Sequence, residues 1–69
     1  MLTFEPRLRD KAIDSTISNL VMAGALLPPE VARYMARLGT LNDDELARQL
    51  LSSRQLLDGH YEQVGESRN

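Results

Sequence analysis

From Asn42 to Val64 the chain reads as a leucine-rich helix that is apolar on more than one side. At about 100° per residue, Leu46, Leu50, Leu57, Tyr61 and Val64 fall on one narrow stripe, whereas Leu51 and Leu56 fall outside it on opposite flanks. Asn42 and Glu45 have the spacing of a capping box, in which the first side chain accepts from an orphan amide and the glutamate reaches back. A short chain that makes a helix apolar beyond one stripe buries it against more than itself. Asp58-Gly59 is expected either to end this helix early or to weaken it, and Val64 to Asn69 to fray.

A second helix is expected from about Pro6 to Ala25. Pro6 suits a first helical position, where its missing amide costs nothing. Ile13, Ile17, Leu20, Val21, Gly24 and Leu27 project on one face, and Leu8, Met22 and Leu26 on nearly the opposite one, so this helix too is greasy on two sides. Phe4, just ahead, is placed to cover one end of the core. Pro28-Pro29 is expected to stop the helix, with Pro29 and Glu30 opening the next. Val31, Tyr34, Met35 and Leu38 have the spacing of a short amphipathic helix, and Gly39 is the expected left-handed stop. Asp44 with Arg48, and Arg54 with Asp58, are opposite charges four apart, supporting the third helix by a few tenths of a kcal/mol each (roughly). No strand-like alternation, repeat or low-complexity run occurs. The expected fold is a single all-α domain over residues 1–69, a small helical hairpin or a three-helix domain.

Size changes this picture. A core from 69 residues supplies little net stability, and such chains lean on disulfides, metals or a second copy. There is no cysteine and one histidine, so self-association is the device left, and a homodimer is expected. Its core and dimer residues are Ile13, Ile17, Leu20, Leu46, Leu50 and Leu57. Ten acidic against eight basic residues give a net charge of −2, too balanced for a typical nucleic-acid binder. Seven of the basic residues are arginine, which reflects GC-rich coding as readily as a taste for interfaces. No window is long and apolar enough to span a membrane and no secretory core is evident, so a cytoplasmic protein is expected.

Candidate chemistry is sparse. His60 has no nucleophile or second ligand at useful spacing and reads as a surface histidine. Ser53 falls on the core stripe, where bonding to a carbonyl of the preceding turn is the ordinary role. Asp43, Asp44 and Glu45 point in different directions on a helix; they are explained by the helix dipole without a metal. Neither an enzyme activity nor a cofactor is expected. A helix-turn-helix has about the right shape, from Val31–Leu38 through Gly39 into the helix after Asn42. However, three acids would then stand where bases and phosphates are contacted, which makes a DNA-binding repressor the alternative reading. Inverted, the same charge argument suggests that the acids engage the basic surface of a DNA-binding domain. Tyr34 is a candidate aromatic anchor, and Arg33 and Arg37, like charges one turn apart, are candidate rim contacts. The candidate partner-binding residues are therefore Arg33, Tyr34, Arg37, Asp43, Asp44 and Glu45.

In size, lysine-poor composition and helical plan, over its whole length, the chain resembles the anti-quorum-sensing proteins of Mu-like Pseudomonas phages. The resemblance implies a dimeric helical protein that binds the DNA-binding domain of a host LuxR-type activator and prevents promoter binding. It also implies a second target, the ATPase that drives type IV pilus assembly. No motif carries residue roles across. Ser53-Arg54-Gln55-Leu56-Leu57-Asp58 is similar in letters to the Ser-Gln-x-Leu-Asp core of the helical-hairpin phosphatases of sporulation phosphorelays. Here an extra residue turns the aspartate by about 100° off the matching face.

Overall fold

The computed structural model describes residues 3–67, with side chains as far as Glu62. It has three α-helices, α1 (Pro6–Met22), α2 (Val31–Leu38) and α3 (Asp43–Ser67), with a 3-10 turn over Pro28–Glu30 leading into α2. No strand occurs among the described residues. Val64, assigned to the apolar stripe by sequence, has its side chain outside the described residues, as do the last residues expected to fray. Gly59 does not stop α3, which runs through it: one glycine costs a helix only about 1 kcal/mol.

Helix α1 ends earlier than the proline pair suggests. Gly24 takes φ +74°, the left-handed region open to a residue without a Cβ. The Gly24 amide donates to the Val21 carbonyl at 3.0 Å, and the Ala25 amide to that of Leu20 at 2.9 Å. These two bonds are a Schellman cap, which satisfies carbonyls that the helix end leaves open. Because the chain leaves the helix here, Leu26 does not lie with Leu8 and Met22. It turns into the core while they stay exposed. Gly39, in contrast, is right-handed at φ −63°. The end of α2 closes instead by tight turns from Thr40 and Leu41, with the Thr40 hydroxyl also donating to the Arg37 carbonyl at 2.7 Å.

The helices do not form a hairpin. Arg9 meets Asp43 and Asn19 meets Ser53, and both pairs are 34 residues apart. In an antiparallel pair that separation would shrink as α1 advances; a constant value means that α1 and α3 run in the same direction, with α2 on the return path. The same offset sets the end of α1 level with Leu56, so the last turns of α3 run past it.

The core is a cluster of Ala12, Ile17, Leu26, Leu38 and Leu46, flanked by Phe4, Ile13, Leu20, Val31, Tyr34, Leu41 and Leu50. Leu46 is 0% exposed and Leu38 1%, and burial of each such side chain is worth about 1.5–3 kcal/mol. Of the six residues expected in the core or a dimer seam, Ile17, Leu46 and Leu57 are buried, and Ile13, Leu20 and Leu50 are half-buried. Small polar groups allow α1 and α3 to approach. Thr16 and Ser53 are buried, and each hydroxyl donates to a carbonyl of its own helix, Ala12 at 2.8 Å and Leu50 at 2.7 Å. Ser53 also accepts from Asn19 at 3.2 Å. Among the described residues no buried side-chain polar atom lacks a partner, so these hydroxyls avoid the cost of an unpaired group.

Candidate functional site

The six sequence-nominated residues separate into two environments at the start of α3. Asp43 faces α1. Its Oδ2 accepts from the Phe4 backbone amide at 2.9 Å, and its Oδ1 from Arg9 Nη1 at 2.6 Å. Arg9 Nη2 donates to the carbonyls of Gly39, at 3.2 Å, and Leu41. One guanidinium thus ties α1 to the turn before α3 and to the first residue of α3. The Phe4 amide holds the Asp43 carboxyl below its ordinary value; partial burial opposes that, and the hydrogen bond and charge of Arg9 add to it. Asp43 is therefore a joint of the fold, where sequence reading had placed it with Asp44 and Glu45 on an exposed acidic start. A signal for this was present. Asp43 stands three residues before Leu46 and seven before Leu50, and Arg9 three before Ala12 and seven before Thr16, so both lie on buried stripes.

The other side of the same turn is open. Asn42 accepts the Glu45 amide at 2.8 Å, the forward arm of the predicted cap, while the side chains of Asp44 and Glu45 are exposed. Tyr34 is half-buried, and its hydroxyl donates to Gln49 Oε1 at 3.4 Å. Gln49 lies one turn beyond Glu45, so Tyr34 and Glu45 share a flank of the molecule. Tyr34 and Arg37 form a ridge between two shallow clefts. One, of about 180 Å³, is lined by Leu26, Glu30 and Arg33 besides the ridge. The other, of about 150 Å³, is completed by Leu38, Leu41 and Gln49. Leu26 and Gln49 were not nominated from sequence. Leu26 reaches the cleft only through the Gly24 turn, and Gln49 has no pattern of its own.

A larger open groove, of about 590 Å³, runs between α1 and α3, with Phe4, Asn19, Leu50, Leu51 and Arg54 on its walls. Leu51 there is 60% exposed, although a leucine gains most from burial. On a helical projection Leu8 and Met22, both exposed, fall on the α1 flank that carries Asn19.

The His60 ring lies 6.2 Å from that of Tyr61 between centroids, at a 54° tilt. Among the described residues no cluster of His, Asp or Glu could hold a metal ion, and no helix is long and apolar enough to cross a membrane. Comparison with protein-family models, with curated proteins and with solved structures finds no match for this chain.

Proposed function

We propose that the protein is a phage-encoded, protein-binding inhibitor that acts in the host cytoplasm by covering the DNA-binding domain of a LuxR-type quorum-sensing activator. The observation that carries this reading is the exposed pair Asp44 and Glu45 at the start of α3, with Glu45 on the flank that holds the half-buried Tyr34. Carboxylates at a helix start repel phosphate but complement the cationic surface that a DNA-binding domain turns to it. Tyr34 supplies the kind of aromatic anchor around which hot spots form. The resemblance to anti-quorum-sensing phage proteins points the same way, and extends the reading to the type IV pilus assembly ATPase as a second target. The inhibitor acts as a homodimer, for which Leu51 on the wall of the α1–α3 groove and the exposed Leu8 and Met22, on the flank of α1 that carries Asn19, supply an apolar face. The mechanism is occlusion, with no covalent step.

The test is a promoter gel-shift with a purified LuxR-type regulator. Adding the protein is expected to abolish the shifted band, and Asp44→Ala with Glu45→Ala to weaken the inhibition by at least about fivefold with unchanged helicity by circular dichroism. Asp43 is left intact, because its removal disturbs the fold. An undiminished band overturns the reading, and a shift of duplex DNA by the protein alone makes it a repressor.

A further inference from the structure

We infer that the arginine face of α2, Arg33 and Arg37 around the Leu26–Tyr34 cleft, is a second docking surface, built for an acidic helix of a protein partner. Both arginines are exposed, and among the described residues neither forms an ion pair. Of the two, Arg37 lies in the last turn of α2, where the helix dipole favours a cation, but neither guanidinium is consumed by a carboxylate there. They are like charges one turn apart, which repel. Arg33 is the third residue of α2, where the helix dipole disfavours a cation. The one carboxylate on the cleft, Glu30, accepts from the Leu27 amide at 3.3 Å. Arg9 is the contrast, since it spends its guanidinium on Asp43 and two backbone carbonyls.

The occupant follows from charge and spacing. Guanidinium groups pair with carboxylates in a planar fork, and two of them a turn apart match two carboxylates a turn apart on a helix lying alongside. Leu26 and Tyr34, which line the same cleft as the arginines, provide an apolar seat for one side chain beside those carboxylates. Nucleic acid is the poorer fit. Phosphate backbones are held by several cations on one face, whereas this chain carries a net charge of −2 and places Asp44 and Glu45 at the next helix start. This surface meets the acidic one proposed above at Tyr34, but its charge argument rests on Arg33 and Arg37 and does not depend on that reading.

The probes are two synthetic alanine-based helices of roughly 18 residues. One has glutamates four apart with a leucine between them, and the other has glutamines at the same places. Binding to the full chain is followed by fluorescence anisotropy and by the Arg Nε and Tyr34 ring signals in NMR spectra. The glutamate peptide is expected to bind at least about tenfold tighter than the glutamine one. The difference is expected to shrink as salt rises from about 0.05 M to about 0.3 M, and to vanish in Arg33→Gln with Arg37→Gln. Both side chains are exposed, so the double variant keeps its fold, as circular dichroism verifies. Equal binding of the two peptides, a preference unchanged in the double variant, or tighter binding of duplex DNA overturns the proposal. Asp44→Ala with Glu45→Ala leaves the peptide preference in place, so this test and the regulator test fail separately.

Discussion

The two sides of the turn between α2 and α3 use the same residue types for opposite ends. On the α1 side, Arg9 and Asp43 are about three-quarters buried, at 25% and 22% side-chain exposure, and joined at 2.6 Å. The remaining donors of Arg9 close two carbonyls of the turn. On the α2 side, Arg33 and Arg37 are exposed on clefts that hold a tyrosine, and Glu45 is exposed on the same flank. A charge placed in a seam is fixed by geometry and holds elements together. A charge left on a helix flank contributes little to stability, because water and salt screen it. The difference teaches where recognition can be housed in so small a chain, namely on the side whose arginines, Arg33 and Arg37, form no ion pair among the described residues.

The most severe way to break the closed side is through its apolar anchor. Leu46→Ala empties a fully buried position one turn beyond Asp43, and a loss of about 2–5 kcal/mol is expected, a large share of the stability of any small domain. Urea denaturation followed by circular dichroism measures it. A loss under about 1 kcal/mol contradicts the assignment of Leu46 to the core.

A smaller effect sharpens the electrostatic part. Because the folded-state carboxyl of Asp43 titrates below its ordinary value of 3.8, its ionised form stabilises the fold at neutral pH. That contribution is complete above the ordinary value and is lost as pH falls through it towards the lower folded value. Thermal melts between neutral and acid pH are expected to show Asp43→Asn less stable than the native chain at neutrality and the two converging in acid. Parallel curves at every pH contradict a role for the charge.

The smallest effect belongs to the open side. Arg33→Gln with Arg37→Gln is expected to move stability by no more than about 0.5 kcal/mol, in the same denaturation measurement. A large loss there makes those arginines part of the fold and removes the contrast.

Much of the fold was legible because it rests on short-range physics. The apolar stripe of α3 from Leu46 through Leu50 to Leu57, the Asn42 cap and the entry of α1 at Pro6 all depend on neighbours within a turn or two, and each forms as the pattern indicates. Tyr61, assigned to the same stripe, is exposed. The end of α1 was misread for a local reason. Two prolines look like the stronger stop, but Gly24 reaches the left-handed conformation first and ends the helix before the prolines can act. Gly39 had the right residue type for the same cap, yet the following Thr40 and Leu41 close the turn without it. Within the candidate site, the exposed Glu45 and the ridge residues Tyr34 and Arg37 were legible as a polar flank with one aromatic. Their partners Leu26 and Gln49 were not, since Leu26 arrives through the turn at Gly24 and Gln49 meets Tyr34 only once α2 and α3 are packed.

By itself the sequence determined that the chain is all helical, that Leu46, Leu50 and Leu57 share the inner stripe of the third helix, and that no disulfide supports it. These follow from periodicity, capping and composition, which are properties of residues and their near neighbours. Only the tertiary structure decided that α1 and α3 run parallel, and that Asp43 belongs to a seam while Glu45 stays outside. Direction and pairing are set by which distant groups meet, Arg9 with Asp43 and Asn19 with Ser53. A contact across 34 residues leaves no periodic trace in the chain that makes it.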